Sequence, residues 1–118
     1  KKPKNESKES LAEKLNIFDG KVTIDSSGTI TASEIASNKL TISNPATIGS
    51  AALPANSSKV TIQTAEATDS AKIFITPTTP TDKVLSVTNI KNNQSFDVST
   101  LTPALSNIKF NWLIVGTQ

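Results

Sequence analysis

Residues 107–116, NIKFNWLIVG, hold the single tryptophan of the chain and its longest unbroken apolar run. The stretch alternates as a β-strand does. Ile108, Phe110, Trp112 and Ile114 share one face, while the other carries Lys109 and Asn111 and then turns apolar at Leu113 and Val115. A strand that is apolar on one face throughout and on both at its end is central in its sheet, or lies against a neighbouring subunit. The segment is read as the strand that closes the fold and sets the oligomer. Deletion of residues 112–118 is expected to abolish soluble folding, whereas loss of a surface patch would remove only a ligand.

Working back from it, the second half of the chain repeats short strands at 46–54, 59–65, 71–78, 83–90 and 95–100, separated by polar turns such as Pro54-Ala-Asn-Ser-Ser58 and Lys91-Asn-Asn-Gln94. This spacing predicts an antiparallel β-sandwich or jelly-roll-like domain over 46–118. Alternation assigns Val60 and Ile62, Ile73 and Ile75, Val84 and either Val87 or Leu85, and Phe96 and Val98 to its core, and turns Asp97 toward solvent. Pro77 and Pro80 end their strand, since proline cannot donate into a ladder.

Residues 20–45 read as a thinner β-repeat or stalk segment, with strands at KVTI, TITASEI and KLTI and loosely repeated Thr-Ile pairs. Each strand offers about two apolar side chains on one face, too few for a stable hairpin, so a partner surface is required. Residues 1–19 are the part with a helical rhythm. Ser7 or Ser10 is placed to cap a helix, Glu13 to complete a capping box with Ser10, and Gly20 to stop it. Leu11, Leu15 and Phe18, spaced four and then three apart, fit the end of a coiled coil, a lone amphipathic turn packed on its own domain, or a tail.

Composition narrows the chemistry. The 118 residues include 15 Ser and 16 Thr but neither Cys nor His, which removes disulfides, thiol chemistry, imidazole metal ligands and histidine bases. All 12 basic residues are Lys and the net charge is only +2, a poor match to nucleic acid, whose recognition leans on arginine forks and clustered charge. The Lys1, Lys2, Lys4 and Lys8 cluster is broken by Glu6 and Glu9 and reads as a solvated end. No apolar run approaches the roughly 20 residues of a membrane helix. The chain begins at Lys1 without a recognisable signal sequence, which suggests an excised piece or mature fragment of a larger parent.

The remaining candidates are weaker. Paired carboxylates are the one catalytic class left open, but Asp25, Glu34, Glu66, Asp69, Asp82 and Asp97 are scattered, so no catalytic residue is assigned. Asp25 and Asp69 carry oxygen ligands for calcium but match no loop template, and turn-capping use is preferred; no metal or cofactor is expected. Trp112 is in phase with core residues rather than set as a sugar platform. Asn111 is the one asparagine suggestive of a lysine–asparagine crosslink, and Asn5, Asn56 and Asn93 head formal glycosylation sequons.

The order of parts, Leu11, Leu15 and Phe18, then the thin β segments from Val22 to Ile48, then a Ser/Thr-rich β domain ending in FNWLIV, resembles the distal end of a bacterial surface fibre or phage tail fibre. That resemblance implies three chains wound together, with a C-terminal β cap that folds first, sets register and sometimes contacts a receptor. It implies an extracellular, cell-surface or virion protein, non-enzymatic and homotrimeric. Its partners would be other copies of itself and a surface glycan or receptor, with no nucleic acid and no membrane insertion. The alternatives are a monomeric carbohydrate- or receptor-binding module using loops 77–82 or 91–94, and a pilus-like subunit joined by strand donation.

Overall fold

The structure, a computed structural model, describes residues 14–117. Among these the chain is all β, with nine strands in three small antiparallel sheets and no helix. It divides into two compact units, Lys1–Leu40 and Thr41–Gln118.

The first unit holds β1 (Lys14–Ile17), β2 (Val22–Asp25) and β3 (Ile30–Ala32), paired in the order β1-β2-β3. The helix expected to run to Gly20 is therefore corrected over 14–20, while Leu11, Ser7, Ser10, Glu13 and the lysine cluster lie outside the described residues. Gly20 takes φ +83° in the turn from β1 to β2, where Phe18 and Asp19 also have positive φ. The helical reading fails because Leu15 and Ile17, two residues apart, pair with Ile24 and Val22, and ladder hydrogen bonds outweigh a weak capping signal. The turn from β2 to β3 is closed by Asp25, whose Oδ1 accepts hydrogen bonds from the Ser27 and Thr29 backbone N–H groups, each at 3.0 Å. The expected strand at KLTI does not form: 39–42 is irregular, and Leu40 is exposed.

The second unit contains β4 (Ile48–Leu53), β5 (Lys59–Gln63), β6 (Lys72–Pro77), β7 (Ser86–Lys91), β8 (Ser95–Ser99) and β9 (Ile108–Val115). One sheet has the order β4-β9-β6 and the other β5-β8-β7, so β9 and β8 are the central strands. The inner residues of both sheets fill a common core. Phe96 of β8 and Trp112 of β9 meet edge to face with ring centroids 5.6 Å apart, a geometry that adds about 0.5–1.5 kcal/mol beyond the area buried. Phe110, Val98 and Ile114 complete the buried cluster, and Val60, Ile62, Ile73, Ile75, Leu85 and Val87 pack against it. Val84 lies outside the core: it precedes β7, and 78% of its surface is exposed.

Loop 64–71 seals one end of this core. Ala67 is fully buried and its carbonyl accepts from the Asn93 N–H, while Thr64 N–H donates to the Gln94 carbonyl. The loop is thereby tied to the β7-to-β8 turn, where Asn93 adopts φ +64°.

Candidate functional site

In the first unit, strand register creates an apolar face. Leu15, Ile24 and Ile30 stand side by side across the three strands, and Ile17, Val22 and Ala32 form a second row two residues along on the same face. The opposite face carries Asn16, Thr23 and Thr31. Leu15, Ile24 and Ile30 are 48%, 36% and 57% exposed. Phe18, at the β1-to-β2 turn, is 77% exposed and held at φ +57°, a left-handed conformation that an aromatic residue adopts at a cost of about 1–2 kcal/mol. Ile17, Val22 and Ala32 are half-buried and Thr23 on the opposite face is buried, so the exposed part of the apolar face is the Leu15, Ile24 and Ile30 row; with an exposed phenylalanine next in sequence to β1, it is what a contact surface offers.

In the second unit, the expected closing strand splits its side chains between two environments. Ile108, Phe110, Trp112 and Ile114 are buried within the chain's own core, so they are not surface residues. Trp112 lies against Gly49, its cross-strand partner, and a Cβ on Gly49 would stand 2.7 Å from the indole. Leu113 is half-buried and Val115 exposed, both on the outer face of the β4-β9-β6 sheet. Register sets Ile48, Leu113 and Phe74 in one apolar row there, and Ser50, Asn111 and Thr76 in the next. These two rows line an open groove of about 360 Å³. Asn111, considered above for a buried crosslink, is exposed on this face and accepts a 2.7 Å hydrogen bond from Ser50 Oγ to its Oδ1.

Asp97 departs from its expected solvent orientation. It points away from the shared core, yet only 3% of its surface is accessible, because neighbouring side chains on its own sheet close over it. Thr61 Oγ1 donates to Oδ1 at 2.6 Å, Asn89 Nδ2 donates to Oδ2 at 3.0 Å, and Lys59 Nζ stands 3.9 Å from Oδ2. The Thr61 and Asn89 hydrogen bonds, helped by Lys59 and Lys91, hold its carboxyl below the ordinary carboxylate range despite the opposing effect of burial. These hydrogen bonds favour the anion and tie β8 to β5 and β7.

Among the described residues no group of three or more acidic side chains is placed to hold a metal ion. Asp25 is engaged in its turn, and Asp69 N–H is fastened to Asn92 Oδ1.

The sequence reading isolated Leu15 and Phe18 but not the row joining Leu15 to Ile24 and Ile30. The signal was present: two hairpins with fixed turns bring three alternating segments into one register. The pairing of Phe74 with Leu113 and of Thr76 with Asn111, which sets Phe74 and Asn111 in adjacent rows from strands more than 30 residues apart, has no local signal. No protein-family model, curated protein or solved structure matches this chain.

Proposed function

We propose that this chain is a non-enzymatic structural and assembly domain of an extracellular filament or surface fibre, whose copies associate as a homotrimer. The observation that carries the reading is the partly exposed apolar row of Leu15, Ile24 and Ile30 in the first unit. Strands of 4, 4 and 3 residues with one fully apolar face are marginal when that face meets water. Covering it with the same face of other copies supplies the missing layer, and closure by rotation leaves no copy with a bare face. Phe18 at the rim of the face adds an aromatic contact. In the same reading the second unit is a β-sandwich, its two sheets packed on Phe96, Phe110 and Trp112, and a cell or virion surface is proposed on the resemblance of thin β segments followed by a Ser/Thr-rich β domain to a fibre.

Size-exclusion chromatography with light scattering tests this. The full chain is expected to run as a trimer at micromolar concentration, and Ile30→Lys, which sets a charge in the centre of the contact, is expected to run as a monomer. A monodisperse wild-type monomer overturns the proposal.

A further inference from the structure

The groove on the outer face of the β4-β9-β6 sheet has a different character from the face of the first unit, and we propose that it binds a neutral saccharide. A sugar ring combines an apolar C–H face with a rim of hydroxyls that both donate and accept. The groove presents the complement of each in adjacent rows. Phe74, 56% exposed and flanked by Leu113 and Ile48, offers an aromatic surface for the C–H face. One step along the strands, Ser50, Asn111 and Thr76 offer hydroxyls and an amide. The Ser50 hydrogen bond occupies the Asn111 oxygen, which orients the amide and leaves its two N–H donors for a ligand.

Charge decides between ligand classes. No charged side chain lines the groove itself, whose lining suits a neutral ligand, and the exposed Lys72 and Lys109 stand one row beyond it on the same face, which makes comparison with a charged ligand the deciding one. With no carboxylate in reach, a bound glycan is held and not cleaved. A second copy seated on this face is a separate outcome of the test; eight residues line the groove. Its volume of about 360 Å³ falls within the range of small-ligand sites. This site is independent of the association proposed for the first unit.

Trp112 contributes to the lining, but its side chain is buried on the inner face of the sheet, so binding is read by isothermal titration calorimetry rather than by fluorescence. The full chain is titrated with cellohexaose, maltohexaose, mannohexaose and N-acetylated chitohexaose, with a heparin fragment as the charged comparison. At least one neutral oligosaccharide is expected to give a saturable heat of binding. Phe74→Ala and Asn111→Ala, both on exposed positions, are each expected to weaken its binding about tenfold, while Leu101→Ala on a remote loop leaves it unchanged. Binding is expected to be insensitive to salt and to pH between about 5 and 8, because nothing lining the groove titrates. The proposal is overturned by a flat response to every neutral probe, by binding that survives both variants, or by a preference for the heparin fragment. A change in oligomeric mass on Phe74→Ala also overturns it, by making the groove a contact between copies. A monomeric wild type that still binds the neutral glycan removes the assembly proposal alone.

Discussion

Gly49 and Asp97 show how much single positions control. Gly49 has ordinary backbone geometry, so its role is spatial: the Trp112 indole occupies the place of its missing side chain, with atoms 2.7 and 2.9 Å from where a Cβ would be. Gly49→Ala is expected to cost about 1–3 kcal/mol by overpacking, read as a lower urea midpoint in a Trp112 fluorescence unfolding curve. Asp97 acts through charge. Its pKa is lower in the folded chain than the roughly 3.9 of an unfolded aspartate, so the anion contributes stability that is fully present above the unfolded value and is lost as pH falls through the folded one. The wild-type urea midpoint is therefore expected to drop on acidification below about pH 4. Asp97→Asn should begin about 1–3 kcal/mol less stable at neutral pH, since it weakens the hydrogen bonds from Thr61 and Asn89, and should change less with acid.

At the level of elements, the strand segments of 46–118 were legible because alternation and turn residues agree locally. Six segments were expected there and six strands form, with ends displaced by up to three residues. The misread elements have identifiable causes. Leu15 belongs both to the four-and-three spacing of Leu11, Leu15 and Phe18 and to the two-residue spacing of Leu15 and Ile17, and pairing with β2 selects the second. KLTI has the strand pattern but forms no strand. The central place of β9 matters most, since it hydrogen-bonds to both β4 and β6 and supplies Phe110, Trp112 and Ile114 to the core. Deletion of residues 112–118 removes that centre, at a cost exceeding the 5–15 kcal/mol by which domains are usually stable. The truncated chain is expected to show no cooperative transition by circular dichroism; a retained transition would mean that β9 is an accessory strand.

For the whole molecule, the division into two units separates two kinds of apolar surface. The second unit has an internal core around Phe96, Phe110 and Trp112 besides exposed side chains such as Phe74 and Leu101, whereas Leu15, Ile24 and Ile30 of the first unit's sheet are partly exposed. This predicts how the assembly variant behaves beyond its mass. Ile30→Lys lies in the first unit and Trp112 in the second, so the Trp112 unfolding transition of the resulting monomer reports whether the second unit folds independently of association. The connectivity of that unit also governs how it forms. β4 pairs with β9 from the far end of the chain, and only β7 and β8 are sheet neighbours adjacent in sequence, so its contacts are mostly non-local and its folding is slow relative to a hairpin repeat.

The sequence by itself determined that this protein is β-rich, that its last strand is apolar on one face, and that histidine and thiol chemistry are absent. Those properties follow from period, composition and turn residues, each written within a few neighbouring positions. Only the tertiary structure decided that β9 lies between β4 and β6, that Leu15 shares a row with Ile24 and Ile30, that Asp97 is covered, and that Phe74 and Asn111 meet in one groove. Each of these depends on strand partners and register, and so on the balance of core packing over the whole unit. A side chain's face is set by the residues beside it, but its neighbours are set by residues tens of positions away.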